Sequence, residues 1–106
     1  AIFRGALDVR ARTITDEMCL AAADEIARFG EEQGLNDDHI VPDMSDLEVY
    51  PREAAAVGIK AQEQGLARLT MTREELLTSA RTKIAAAQEM VAVMMREGII
   101  APVPEE

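Results

Sequence analysis

His39 stands close in sequence to Asp37, Asp38 and Asp43, and an imidazole among carboxylates is a donor set that can hold a divalent cation. The spacing argues against it, since the turn glycine and closing Glu of an EF-hand loop are lacking, and an acidic, solvated loop is the reading taken. Cys19 has no second cysteine to pair with. It falls on the apolar stripe of a helix, so it is expected to be a small buried core residue rather than a nucleophile. Tyr50, just before Pro51, is a proton donor in isolation, but nothing in the sequence puts a base or an oxyanion donor beside it. Met90, Met94 and Met95 could shape an adaptable groove with their flexible thioethers; packing against a neighbouring helix or subunit is preferred. The glycines at 5, 30, 34, 58, 65 and 98 are too scattered to cradle a pyrophosphate, and no Gly-Lys-Ser loop is present. No catalytic, cofactor-binding or metal-binding residue is therefore expected in this chain.

The elements that would position these side chains are all helical in period. Phe3, Leu7 and Arg10 or Ala11 recur at helical spacing near the start, although Gly5 weakens that segment. Thr13 or Thr15 can cap the next helix, with Asp16 and Glu17 at its positive end. Cys19, Ala22, Ala23, Ile26 and Phe29 then form its apolar stripe, while Asp24, Glu25 and Arg28 fall largely elsewhere; the helix should end near Gly34. Residues 35–50 form an acidic connection containing Ile40-Val41-Pro42, which suits a short extended segment but not a central strand. Pro51 fits the first position of a third helix, whose apolar face is Ala54, Val57, Ile59 and Ala61 and whose stop is Gly65. Thr72-Arg73-Glu74-Glu75 spells a capping box. Behind it Leu76, Ala80, Ile84, Ala87, Val91 and Met94 keep one face apolar until Gly98. Glu74, Glu75, Glu89, Arg73, Arg81 and Lys83 read as that helix's solvated face, and residues 99–106 as a tail. Residues 1–106 thus form one helical unit, with an all-α fold class expected.

Composition narrows the function classes. The net charge of −9, from 20 acidic and 11 basic residues, would repel a phosphate backbone, so nucleic acid is not an expected partner. No apolar run approaches the roughly 20 residues of a membrane span, no signal peptide is legible, and cytoplasm is the expected location. Aromatics supply only 3% of the residues, so core volume must come from aliphatic side chains and six methionines. The apolar opening Ala1-Ile2-Phe3 suits a piece of a longer chain, and equally a complete small protein whose initiator Met was removed before Ala1.

Residues 2–18, Ile-Phe-Arg-Gly-Ala-Leu-Asp-Val-Arg-Ala-Arg-Thr-Ile-Thr-Asp-Glu-Met, closely resemble a stretch near the C-terminus of bacterial-type malic enzymes. The resemblance continues through the Ala-rich helix at 19–29, Ile40-Val41-Pro42, and the helix at 53–65 ending in Gly-Leu-Ala-Arg; the last helix is similar only in type. The family pattern commonly reads Phe-Pro-Gly before Ile-Phe-Arg-Gly, where this chain has Ala1. The resemblance implies the helical C-terminal portion of a Rossmann-like α/β NAD(P)-binding domain. It also implies a parent enzyme that oxidatively decarboxylates malate to pyruvate with NAD or NADP and Mg or Mn. The family's catalytic Tyr and Lys, acidic metal ligands and glycine fingerprint precede this segment, so none is carried onto it and no cofactor is expected to be bound by this chain alone. Arg4, Asp8 and Arg10 lie near the family's substrate-binding region; helix-end salt bridges are their expected role, ahead of orienting the cleft.

Two function classes stand side by side. The first is an enzyme segment whose apolar stripes meet the remainder of the malic enzyme chain or a second copy in a homo-oligomer. The alternative is a self-contained acidic helical interaction module, to which the net charge and the Met-bearing helix also point.

Overall fold

A computed structural model describes residues 1–105; Glu106, the last residue of the expected tail, lies outside the described residues. Four helices follow in order: α1 (Ile2–Asp8), α2 (Asp16–Gln33), α3 (Val49–Glu63) and α4 (Arg73–Arg96), with no strand among the described residues. The expected all-α class is what the structure has.

The caps explain most of the boundaries. Thr15, not Thr13, caps α2, its hydroxyl accepting from the Met18 amide at 3.2 Å. At α4 the capping box forms in full: the Thr72 hydroxyl accepts from Glu75 N at 3.1 Å and the Glu75 carboxylate accepts from Thr72 N at 2.8 Å. Gly34, Gly65 and Gly98 follow α2, α3 and α4 with φ of 92°, 70° and 71°, a region that side chains with a Cβ rarely enter. α3 begins two residues ahead of Pro51, which occupies its third position rather than its first. The ring costs no hydrogen bond there, because the first four amides of a helix have no intrahelical acceptor.

α3 is the hub. It packs against α1, α2 and α4, and its buried residues Val49, Pro51, Ala54, Ala55, Val57, Gly58 and Ala61 run around more than one face. Three helices can approach one only if the crossing points carry little side chain. A Cβ built on Gly5 of α1 would lie 2.3 Å from the Ala54 carbonyl oxygen and 2.8 Å from the Val57 Cβ. The glycine that weakens α1 as a helix in isolation is the residue that lets it dock. Gly58 likewise faces both Leu76 methyls at 3.0 Å from its would-be Cβ. Met18, Leu76, Val9 and Val57 are the largest fully buried side chains, so the core is small.

The connections are stitched by backbone and amide groups. Arg12 N donates to Leu66 O at 3.0 Å, and Arg68 N and Leu69 N both donate to Val9 O, at 2.9 and 3.1 Å. The Gln62 side chain donates to Gly58 O and Met71 O and accepts from Met71 N, closing the α3–α4 turn. In the acidic connection, Asn36 and His39 exchange both backbone hydrogen bonds in a tight turn, and Ile40 and Val41 behind it are exposed.

One expectation about apolar faces fails, that Cys19 is buried, while α4 leaves most of its stripe open. On α2 the buried positions are Met18, Ala22, Glu25 and Gly30; of the expected stripe Ala22 is buried, Ile26 and Phe29 are half-buried, and Cys19 and Ala23 are exposed. The buried seam is therefore turned by less than one residue spacing, under roughly 100° of helix, from the Cys19–Ala22–Ala23–Ile26–Phe29 stripe toward Met18 and Glu25. On α4 only Leu76 and Ala80 are buried; along the stripe beyond them Ile84 and Met94 are half-buried and Ala87 and Val91 exposed. At 1.5 Å per residue the helix is about 36 Å long, and its second half projects as an arm. The radius of gyration, 16.1 Å, accordingly exceeds the roughly 13 Å of a compact domain this size.

The Gly5 approach yields the first prediction. Gly5→Ala should destabilise the chain by about 2–3 kcal/mol, because the Ala54 carbonyl belongs to a hydrogen-bonded helix and cannot move aside. Gly65→Ala, strained only in φ, should cost about 1 kcal/mol. Urea denaturation followed by circular dichroism ranks the two, and equal losses would contradict the close approach as the cause.

Candidate functional site

Two carboxylates are buried in this fold, Asp8 at 8% and Glu25 at 3% relative exposure, and each is the centre of a cationic cluster. Burying an ionised carboxylate without a partner is prohibitive, so the clusters are what make these positions possible.

At Asp8, Oδ1 accepts from the Arg4 guanidinium one turn earlier, at 2.8–3.0 Å, and from Lys83 Nζ of α4 at 2.5 Å. Oδ2 is buried and has no hydrogen-bond partner among the described residues. Lys83 also donates to Ser79 Oγ at 2.9 Å. The Arg4–Asp8 pair is the helix-end salt bridge expected from the sequence. The tie to α4, 75 positions away, was not expected.

At Glu25, Oε1 accepts from Arg52 Nε at 2.7 Å and Arg73 Nη2 at 3.1 Å, and Oε2 lies 3.9 Å from Arg28. Arg52 turns its remaining nitrogens to Glu32, at 2.5 and 3.0 Å, and sits over the Phe29 ring with 5.2 Å to the centroid. One planar guanidinium thus joins a buried carboxylate, an exposed one and an aromatic face, a geometry that lysine cannot reproduce. The hydrogen bond from Arg52 holds the Glu32 carboxyl below its ordinary range, and Glu32 in turn pushes the guanidinium's pKa further up. A third bridge links Arg81 of α4 to Glu48 at the start of α3.

These contacts correct the reading of α4. Arg73, Arg81 and Lys83 are not a free solvated face; each reaches a carboxylate on another element and fastens the first half of α4 to the body. Glu25 and its partners were missed because a charged residue reads as outward-facing, and Arg52 and Arg73 lie 27 and 48 positions away. Met18 was the available signal, since Met18, Ala22 and Glu25 share one helical face.

The other candidates stay apart. Among the described residues no three His, Cys, Asp or Glu side chains come close enough to hold a metal ion. Tyr50 donates its hydroxyl to the Met44 carbonyl at 2.8 Å, a contact that pins the acidic connection to α3. Met90 and Met94 line a shallow apolar groove of about 480 Å³ with Ala86, Glu89 and Val93, on the arm of α4. Chemically, both buried carboxylates are tied to cations, Asp8 through Oδ1 and Glu25 chiefly through Oε1. Their work is clamping.

No model of a known protein family matches the chain. The bifunctional malic/malolactic enzyme of Bacillus subtilis (strain 168) is 45% identical over 80 residues, covering 76% of this chain and 20% of that protein. The NAD-dependent malic enzyme of Geobacillus stearothermophilus is 48% identical over 67 residues, covering 63% and 14%. The crystal structure of Entamoeba histolytica malic enzyme superposes with a TM-score of 0.92 at 38% identity, over 97% of this chain and 21% of that one. Malic enzyme from Pyrococcus horikoshii Ot3 gives 0.82 at 41% identity, over 91% and 22%. The chain spans about a fifth or less of the length of the curated relatives it matches.

Removing the Glu25 carboxylate by Glu25→Ala should cost about 2–3 kcal/mol, as it leaves Arg52 and Arg73 around a vacated buried position. Glu25→Gln, which keeps an acceptor oxygen, should cost less; a chemical-denaturation series in which Gln is as damaging as Ala would contradict this. Glu53 supplies the pH dependence. Partial burial raises its pKa above the ordinary 4.5, so the folded state holds its proton longer than the unfolded chain. Stability should therefore fall as pH rises through the window just above 4.5. Glu53→Gln should stabilise more at about pH 7 than at about pH 4, read from thermal melts at both.

Proposed function

Since the sequence and structural neighbours of this chain are consistently malic enzymes, matched over part of their length, we propose that it forms the helical C-terminal portion of the NAD(P)-binding domain of such an enzyme. The observation that carries this reading is the superposition with the Entamoeba malic enzyme over 97% of the chain. The parent enzyme would oxidise malate with NAD or NADP, decarboxylate the product to pyruvate and use Mg or Mn. The family's catalytic Tyr and Lys, metal ligands and glycine fingerprint are expected upstream of this segment, so its proposed part in that reaction is support rather than chemistry.

The role of the chain itself is then architectural. A doubly wound domain ends in helices that cover its parallel sheet, and such helices must keep an apolar surface turned outward from their own cluster. Leu20 is 64% exposed, and the arm of α4 adds Met90 at 63%. These are surfaces for the remainder of the enzyme or a second subunit to cover. No helix among the described residues is long and apolar enough to cross a membrane, and cytoplasm is the location proposed.

A segment exchange tests the reading. Residues 1–106 replacing the matching stretch of the Bacillus enzyme should give a folded chimera that retains malate-dependent cofactor reduction, within about tenfold of the parent in kcat/KM. The 106-residue chain alone should show none. A folded but inactive chimera, or turnover by the chain alone, would overturn it.

A further inference from the structure

Among the described residues every Lys and Arg reaches a carboxylate within 4.0 Å except three, Arg10, Arg12 and Arg68. In a chain of net charge −9 those three are not scattered. Arg10 and Arg12 lie in the α1–α2 connection and Arg68 in the α3–α4 connection. The two connections are bound together by Arg12 N to Leu66 O, and by Arg68 N and Leu69 N to Val9 O. Arg10 holds φ of 51°, a conformation uncommon outside glycine, in the turn where this pairing begins.

Arg10 and Arg68 line one groove of about 380 Å³ with Phe3, Leu7, Thr13 and Ile14, and no carboxylate lines it. Phe3 and Leu7 supply an exposed apolar wall, 74% and 64% accessible. The carbonyls at the end of α1 would oppose an anion, but they are occupied: Ala6 O accepts from Ala11 N, Leu7 O from Arg10 N, and Val9 O from Arg68 and Leu69. What faces the groove is guanidinium, hydroxyl and hydrocarbon.

We propose that this groove binds a phosphate monoester with an apolar or aromatic body, the phosphate held by Arg10 and Arg68 with Arg12 reinforcing the field, and the body against Phe3 and Leu7. Guanidinium matches phosphate through paired N–H donors, and three uncompensated positive charges suit a dianion better than a single carboxylate. Thr13 offers a hydroxyl donor on the same rim. Binding rather than turnover is the readout, which keeps failure of this proposal distinct from failure of the malic-enzyme reading.

Calorimetric titration of the native-length protein that carries this segment uses three probes: phenyl phosphate, inorganic phosphate and benzoate. Phenyl phosphate should bind most tightly. Arg10→Ala and Arg68→Ala should each weaken it by about tenfold, the double variant should abolish it, and Arg28→Ala should leave it unchanged. Phe3→Ala should erase the preference for phenyl phosphate over inorganic phosphate. Thermal melts of these surface variants should match the unsubstituted protein. Undetectable binding, binding that survives the double arginine variant, or benzoate binding as tightly as phenyl phosphate would each overturn the proposal.

Discussion

The contact between the backbone of α1 at Gly5 and the carbonyl of Ala54 sets the distance at which everything else in the chain is arranged. With no Cβ at that crossing, α1 lies close enough to α3 for Ala6 and Val9 to join the core, and for Asp8 to be buried where Lys83 can reach it. Gly58 repeats the device on another face of α3, against Leu76. A hub helix built from Ala, Gly and Val has little side-chain volume to offer. It compensates by letting three neighbours in at once, which suits packing at near-crystalline density.

Such a core buries little apolar area per residue, and the ion-pair clusters take over part of the task of fixing geometry. Asp8 and Glu25 each join elements that are far apart in sequence, and each would be intolerable if its cations were missing. Arg52 does the most with one side chain, joining Glu25, Glu32 and Phe29. The first half of α4 is held by Leu76, Ala80, Arg73, Arg81 and Lys83, whereas the second half has no fully buried residue. That division accounts for the elongated shape and for the apolar surface left on the arm.

The relationship to malic enzymes gives this incompleteness a physical sense. A segment about a fifth as long as its relatives has the caps, turns and clusters of a finished structure, yet its apolar surface is only partly paired. The acidic net charge hides a local exception, the groove between the two connections, lined by Arg10 and Arg68 with Arg12 in the same connection.

Sequence alone determined what depends on neighbours a few residues apart. Helical period, the cap at Thr72, the stops at Gly34, Gly65 and Gly98, and the Arg4–Asp8 pair are all local, and each is where the spacing puts it, while the α2 cap was narrowed to Thr13 or Thr15. The resemblance carried by residues 2–18 also held. Tertiary structure decided the phase of α2, because Ala21, Ala22 and Ala23 fit either face and only Arg52 and Arg73 make the burial of Glu25 affordable. It likewise decided which half of α4 is covered, that Cys19 faces outward, and that Arg10 and Arg68 share a groove. Those outcomes rest on approaches between residues dozens of positions apart, whose desolvation costs and partners no local pattern encodes.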